Sequence, residues 1–421
     1  MENAYTSAKG VKIYGYKNPS SHGFFISLFL RAGSMYESEE ENGITHFFEH
    51  IAIRNVNKIM SGNLYSELDR RGVEFNASTF SEMVQFYVSG SCKNFDFGAQ
   101  IITRLLSSIV LKRDEIETEK RRIKAEIREA DEKNSILTFT NGIVHESTSL
   151  SRPITGTLSS VNRINAKSLE LFRKRTFTKD NIFFYVTGNY NDKDIKMLIS
   201  EVDKYVLFEG QKHENIAPVS ENFANRSCNV HVKNSDFTMV RFTFDIDMKK
   251  VSVPETDLIY DKLLSGYGSE FFMEMSEHKG LFYDIGGALE RYRNIGQLYF
   301  SYEVREKDLY TAVKMTVDIL KKFKSQTLPD TELMKAGYVD NAPLLYDDAR
   351  EFNFTMAYDN HIMQLGYSNI ESRINAYSSV TPEDIRWAAC QIFKRENLTL
   401  TLKGDKKKID CSELEKIISE L

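Results

Sequence analysis

The stretch INAKSLELFRKRTFTKDNIFFYVTGNYNDKDIKML, residues 164–198, has a counterpart in VTPEDIRWAACQIFKRENLTLTLKGDKKKIDCSELEKII, residues 380–418. Each pattern predicts an amphipathic helix, an Asn-marked turn, an apolar strand, a glycine and a second helix. Asn181 and Gly188 correspond to Asn397 and Gly404 at a common offset of 216 residues. Equal offsets at two such positions predict an internal repeat.

A second pair of segments supports the repeat. A predicted helix ending at Gly72 precedes strands and another helix, and the same order follows Gly280 at an offset of 208 residues. An α+β protein could show this order by chance, but the ordered series favours two homologous halves. We therefore expect domains at 1–208 and 229–421, joined by a polar linker at 209–228 that contains glycine and proline.

The fold class follows from how the predicted elements are grouped. Strand segments such as 24–30, 84–88 and 183–186 are rich in aromatic and β-branched residues, and helices cluster between them. Runs of strands and runs of helices are typical of mainly antiparallel sheets. We predict an α+β fold in which each half is such a sheet with helices layered on one face.

Composition excludes several classes of protein. Lys plus Arg is 55 and Asp plus Glu is 60, so the chain lacks the basic surplus of a nucleic-acid binder. The longest strongly apolar stretch, residues 24–30, is too short to span a bilayer. Four widely spaced cysteines form no CxxC pair and suggest a reducing compartment. Since the N-terminus also lacks an export-signal pattern, we expect a cytoplasmic protein without membrane partners.

The most informative motif is GITHFFEH, residues 43–50. On a helix, His46 and His50 lie on one face with Glu49 beside them. Two neutral imidazoles can bind Zn²⁺, while Glu49 is placed to take a proton from an activated water, as in the inverted zinc-peptidase motif HxxEH. The alternative is an amphipathic helix with two ordinary histidines, although the flanking apolar residues would then bury Glu49 without a cation.

A catalytic zinc site needs a third protein ligand. The predicted helix at 112–134 is rich in charge, and most of its side chains fit a solvated face. Glu119 and Glu126 differ, since both lie on or beside the apolar stripe. Spacing alone leaves both glutamates open as the third ligand.

Several segments together resemble a known family. The chain is similar over nearly its whole length to the pitrilysin family of zinc peptidases, which includes insulysin and the mitochondrial processing peptidases. The matching segments are RAGSMYE at 31–37, NGITHFFEH at 42–50, RGVEFNASTF at 71–80, ETEKRRIKAEIREA at 117–130, SRPITGT at 151–157 and KGLFY at 279–283.

The resemblance implies roles for particular residues. It places Glu126 at the family's third zinc ligand and Glu119 at its accessory glutamate. It implies that an extended peptide pairs with a sheet edge, here at Asn76, Ala77, Ser78 and Thr79. Only the first half carries HxxEH. One Zn²⁺ per chain is therefore expected.

One departure concerns the second half. The family usually has an arginine and, seven residues later, a tyrosine that contacts substrate. Here Tyr283 is present, but Ser276 occupies the arginine position. Either Lys279, Arg291 or Arg293 replaces the arginine, or a related partner chain supplies an Arg/Tyr pair. The resemblance implies a clamshell dimer, and the missing arginine favours a heterodimer over a homodimer.

Two functions of different classes follow. The first is a zinc-dependent endopeptidase that cleaves extended peptides or leader and presequence segments, with Glu49 as the general base. The alternative is a non-proteolytic peptide-binding or assembly subunit of the same fold. The intact HFFEH segment and Glu126 favour the enzyme, while Ser276 is the feature that favours the alternative.

Overall fold

The computed structural model describes residues 1–130, 135–221, 226, 228–233, 235–266, 268–325 and 331–421. The chain divides into two compact units. The first comprises Met1–Glu132, Arg152–Asn215 and Ala342–Ile370, and the second comprises Lys133–Ser151, Ile216–Asn341 and Glu371–Leu421. Each unit has its own apolar core.

The first unit contains a six-stranded sheet with the order β1-β2-β6-β3-β5-β4. Neighbouring strands are antiparallel except for β2 and β6, which are parallel. Its strands are β1 Asn3–Thr6, β2 Lys12–Lys17, β3 Gly23–Leu30, β4 Glu74–Thr79, β5 Val84–Ser91 and β6 Ile182–Gly188. Its helices are α1 Ile44–Ile59, α2 Leu64–Arg71, α3 Phe95–Thr103, α4 Arg113–Glu129, α6 Leu158–Arg163, α7 Ala166–Thr176, α8 Asp192–Val202, α12 Ala342–Asp347 and α13 Ala349–Ala357.

The second unit contains a five-stranded sheet with the order β7-β11-β8-β10-β9. Here β7 and β11 are the parallel pair. Its strands are β7 Asn229–Val232, β8 Phe237–Asp247, β9 Ile285–Arg291, β10 Ile295–Arg305 and β11 Leu398–Gly404. Its helices are α5 Ile136–Val144, α9 Val253–Leu264, α10 Leu309–Ser325, α11 Thr331–Lys335, α14 Ile370–Ser378, α15 Pro382–Ile392 and α16 Cys411–Ile418.

The two sheets have the same topology. Strands β2-β6-β3-β5-β4 of the first correspond in order and direction to β7-β11-β8-β10-β9 of the second. Strands β6 and β11 are the apolar strands of the quoted repeat, and they end at Gly188 and Gly404. The predicted α+β fold with mainly antiparallel sheets is confirmed.

Each sheet also carries a helix on the face opposite its core. In β3, Ile26 and Leu28 belong to the core, so Ser27 between them points the other way. The Ser27 hydroxyl donates to Oδ1 of Asn353 in α13, at 2.6 Å. In β11, Thr401 likewise contacts Thr140 of α5 at 2.7 Å. We predicted helices on one face of each sheet, and the structure adds a helix on the opposite face.

These two helices explain why the compact units differ from the predicted domain ranges. Helix α5 lies within the predicted first domain but groups with the second unit, and α13 does the reverse. Each is assigned to the sheet whose outer face it covers. One of the places where the chain passes between the units, 215/216, lies inside the predicted linker, of which 222–225 and 227 lie outside the described residues. The homology boundaries 1–208 and 229–421 stay a prediction.

The apolar segment 24–30 falls within strand β3. Within the described ranges, no helix has both the length and the apolar composition needed to cross a bilayer.

The pH dependence of stability should contain a contribution from His145, which is buried at the end of α5. Burial, and secondly the charge of Arg226, lowers the pKa of His145 to about 4. Between about pH 6.5 and pH 4 the unfolded chain binds a proton there that the folded chain does not, so stability falls as pH falls. We expect this residue to remove about 3 kcal/mol across that window.

Urea unfolding at several pH values measures this effect. His145→Gln should flatten the dependence between pH 6.5 and pH 4, whereas the control His22→Gln, at an exposed position, should keep it. An unchanged slope in His145→Gln would contradict the assignment.

Candidate metal centre

Helix α1 begins at a capped and sterically restricted N-terminus. Gly43 precedes it with φ of 89°, in the left-handed region that favours glycine. The buried carboxylate of Glu37 accepts hydrogen bonds from the backbone N–H groups of Gly43 at 2.8 Å and Thr45 at 2.9 Å. A negative charge here also complements the helix dipole. Glu37 therefore caps the helix that carries the HxxEH motif.

One face of α1 anchors it in the core. Phe47, Phe48 and Ile51 are almost completely buried there. The i, i+3, i+4 spacing leaves His46, Glu49 and His50 together on the other side. The apolar positions of the motif thus determine which way its polar positions face.

The structure brings His46, His50 and Glu126 together. Nε2 of His46 lies 3.8 Å from Oε2 of Glu126, and Nε2 of His50 lies 3.7 Å from the same oxygen. One potential ligand atom from each residue lies within 4.8 Å of the others. Two imidazole nitrogens and a carboxylate oxygen are a frequent donor set for catalytic zinc.

The protonation of His46 fits a metal ligand. Burial, and after it the charge of His50, lowers the pKa of His46 to about 4. The imidazole is therefore neutral at pH 7 and keeps a lone pair for a cation. Zinc lies about 2.0–2.2 Å from such donors, so donor atoms separated by nearly 4 Å need only a small inward movement. The residues present fit a zinc ion.

Glu49 lies beside this group but has a different partner. Its carboxylate accepts a hydrogen bond from the hydroxyl of Thr79, the last residue of β4. Burial raises the pKa of Glu49, although the Thr79 hydrogen bond and the charge of His50 oppose the rise. A carboxyl group whose pKa is raised towards neutrality is suited to exchange protons with a substrate.

Glu119 occupies a supporting position one helix away. Its side chain is only 3% exposed and accepts hydrogen bonds from Arg54 and, at 2.9 Å, from Arg122. Its second oxygen lies 3.6 Å from Nδ1 of His50. Burial would raise the pKa of Glu119, but these partners together lower it. Glu119 is thus placed to orient the His50 ring.

An open cleft of about 860 Å³ adjoins the candidate ligands. Glu49, His50 and Asn76 of β4 are among the residues that line it. Strand β4 lies at the edge of its sheet, and its side chains alternate between exposed and half-buried from Glu74 to Thr79. In this strand Ala77 packs against the core, whereas Ser78 is exposed. The cleft and the sheet edge therefore meet at Glu49.

The predicted residues of the second half lie in the second unit. Tyr283 is 97% exposed and lines a cavity of about 730 Å³ with Phe282 and Arg305. The hydroxyl of Ser276 donates to the backbone oxygen of Phe282, six residues further along the chain, at 2.9 Å. Arg291 forms an ion pair with Asp257, so its guanidinium already has a structural partner.

Sequence reasoning missed two residues that shape the site, Glu37 and Arg54. Arg54 is four residues after His50, and that helical spacing is a signal that could have identified it. Glu37 lies in the RAGSMYE segment before the turn, where no local spacing links it to the helix it caps.

Comparisons with known proteins identify a family. A family model described as Insulinase (Peptidase family M16) matches residues 13–158, and one described as Peptidase M16 inactive domain matches residues 163–336. The chain belongs to this family, peptidase family M16. The resemblance to the insulysin and pitrilysin type is thereby confirmed.

Particular relatives refine the placement within the family. The uncharacterized zinc protease YmxG of Bacillus subtilis is 20% identical over 405 residues, which cover 94% of this chain and 97% of that protein. Subunit beta of the mitochondrial-processing peptidase of Bos taurus is 29% identical over 146 residues, or 34% of this chain and 30% of that one. The chain fits the short two-domain branch, and these names support a metallopeptidase that uses zinc.

Solved structures show the same fold. The peptidase M16 inactive domain from Pseudomonas fluorescens superposes with a TM-score of 0.85 at 13% identity, covering 96% of this chain and 98% of that one. A protease from Helicobacter pylori gives 0.82 at 15% identity, covering 96% and 99%.

Loss of the Glu37 cap should loosen helix α1. In Glu37→Gln one oxygen and the negative charge are lost, so we expect a stability loss of about 1–2 kcal/mol. Zinc affinity should fall as well, because the helix presents both histidines. Thermal unfolding and competition with a chelator measure the two effects.

The matched control is Glu39→Gln, two residues away and exposed. It should change neither quantity. If both variants behaved alike, the cap would not position the site.

Proposed function

We propose that this chain is a zinc-dependent endopeptidase that cleaves extended peptides, with leader or presequence segments as one class of substrate. The observation that carries the proposal is the approach of the candidate ligand atoms of His46, His50 and Glu126 to within 4.8 Å of one another, with Glu49 nearby in the lining of an open cleft. Membership of peptidase family M16 and the zinc-protease names of relatives support it.

The three ligands would hold one zinc ion per chain. When bound, zinc supplies Lewis acidity towards water and towards the scissile carbonyl. Helix α1 orients His46 and His50, and Glu119, 3.6 Å from Nδ1 of His50, would help to orient that ring. Arg54 and Arg122 neutralise Glu119, which leaves the charge of Glu126 available to the cation.

Glu49 would act as the general base and then as the general acid. It accepts a proton on a carboxylate oxygen during attack by water and delivers it to the leaving amine. Its raised pKa favours holding that proton between the two steps. The Thr79 hydroxyl occupies one carboxylate oxygen and so orients the group.

A peptide substrate would bind along β4. An edge strand presents unpaired backbone groups, so an extended peptide can add to it as a further strand. Thr79 joins this edge to Glu49, which supports substrate placement at Asn76, Ala77, Ser78 and Thr79. For Tyr283 we keep the substrate contact that the family resemblance implies.

We further propose that the chain works as a dimer and favour a related partner that supplies an Arg/Tyr pair. Ser276 stands where the family has an arginine and its hydroxyl donates to Phe282, while the guanidinium of Arg291 is paired with Asp257. The similarity to a chain named as a subunit of the mitochondrial-processing peptidase supports this choice over a homodimer.

The general-base role predicts the behaviour of Glu49→Gln. We expect cleavage of a mixed-peptide substrate to fall by roughly 10³-fold because proton transfer is lost. Zinc content should remain at that of the wild type, since Glu49 is not a ligand. Peptide mass spectrometry and elemental analysis measure the two quantities, and Glu117→Gln on α4 is the control. A Glu49→Gln protein that cleaved normally would exclude this role.

The ligand role predicts the behaviour of Glu126→Gln. We expect zinc binding to weaken by about 100-fold or more, since changes even to outer-shell partners weaken metal binding 10–100-fold. Glu129→Gln, exposed at the end of α4, should bind like the wild type. Titration of the metal-free protein with a competing zinc indicator gives both affinities. Wild-type zinc binding without cleavage, with or without a related partner chain, would instead favour a peptide-binding or assembly subunit.

A further inference from the structure

Two cysteines of the second unit lie side by side. Cys228 immediately precedes β7, and Cys411 is the first residue of α16. Their Sγ atoms are 3.3 Å apart, although the residues are separated by 183 positions in the chain. Both are free thiols in the structure and both are half-buried. Small reagents can therefore reach a pair that the fold has already brought together.

The surrounding contacts hold this pair in place. Glu415 lies one helical turn after Cys411 and accepts a hydrogen bond from the backbone N–H of Cys228 at 2.6 Å. Its other oxygen accepts from Arg395 at 2.7 Å. Arg395 also donates to the backbone oxygen of Arg226 at 3.1 Å. Helix α16 thus contacts Cys228 through both a sulfur and a carboxylate.

We propose that Cys228 and Cys411 form a redox modification site that closes to an intramolecular disulfide when it reacts with a low-molecular-weight disulfide. A disulfide bond is about 2.05 Å long, so the sulfurs need to approach by little more than 1 Å. The proposal is independent of the peptidase activity, since the site contains none of the residues assigned to that activity.

The reaction proceeds by two thiol–disulfide exchanges. The Cys411 thiolate attacks one sulfur of the small disulfide, forms a mixed disulfide and releases the first small thiolate. Cys228 then loses its proton and attacks Sγ of Cys411, which releases the second small thiolate. Two protein thiols are oxidised, one small disulfide is reduced to two thiols, and the two cysteine protons pass to these thiols.

The hydrogen bond between the two sulfurs suggests the order of the steps. The Cys228 S–H donates to Sγ of Cys411, and burial, followed by this hydrogen bond, raises the pKa of the Cys228 thiol. We therefore assign the first attack to Cys411 and the resolving step to Cys228.

The other cysteines provide internal controls. Cys390 directs its sulfur to the backbone oxygen of Lys324 at 3.6 Å. Cys92 lies in the short turn after β5, in the first unit. Among the described residues, neither has a second sulfur within hydrogen-bonding distance. We therefore expect oxidation to join Cys228 to Cys411 and to leave Cys92 and Cys390 as thiols.

Treatment of the folded, full-length chain with oxidised glutathione tests the proposal. The number of alkylatable thiols should fall from the four of the sequence to two. Peptide mapping should then find a disulfide between Cys228 and Cys411. The apparent melting temperature should rise by several degrees and return on addition of dithiothreitol, because the cross-link closes a long loop in the unfolded chain.

Cysteine variants show which thiols are responsible for the cross-link and the thermal shift. Cys411→Ser should abolish both the cross-link and the thermal shift, whereas the double variant Cys92→Ser/Cys390→Ser should retain both. Three results would each overturn the proposal. The first is four alkylatable thiols after treatment, and the second is glutathione adducts without a cross-link. The third is a mixture of disulfide pairings like the mixture that forms when the chain is oxidised in urea.

Discussion

The candidate metal centre depends on one nearly buried carboxylate, that of Glu119, which joins helices α1 and α4. A carboxylate removed from water is strongly destabilising unless cations and hydrogen-bond donors surround it. Arg54 of α1, Arg122 of α4 and the ring of His50 meet this requirement together. Because these charge partners come from both helices, their contacts with Glu119 hold α1 and α4 in a fixed position relative to each other. Glu126, two turns beyond Glu119, is then opposite both histidines.

A second constraint acts along the axis of α1. Glu37 holds its first turn through backbone N–H groups, and the apolar residues Phe47 and Ile51 fix its rotation about the axis. Glu49 is held from a third direction by Thr79 of the edge strand. The two histidines and Glu49 are thus positioned by contacts that do not involve a metal.

The second unit repeats the topology of the first but, among its described residues, not the candidate metal site. Helix α9 follows β8 as α1 follows β3, and β9 is the edge strand that corresponds to β4. Where Glu49 meets Thr79 in the first unit, Asp257 of α9 meets Arg291 of β9, and the hydroxyl of Tyr377 donates to Asp257 at 2.6 Å. The helix–edge contact is retained, but an ion pair and a tyrosine occupy it. This agrees with the description of the second family model as an inactive domain.

The sequence by itself determined the repeat, the fold class and the face shared by His46, Glu49 and His50, because these depend on periodicity and on residues near one another in the chain. It also narrowed the third ligand to Glu119 or Glu126, and the family resemblance favoured Glu126. The tertiary structure added a physical difference between the two glutamates, since Glu119 is paired with arginines whereas Glu126 lies near both histidines. It likewise revealed Glu37 as a cap, α5 and α13 as outer-face helices, and Cys228 beside Cys411. Each of these is a contact between segments distant in sequence, and the free energy of such contacts arises from burial and charge compensation that no local pattern records.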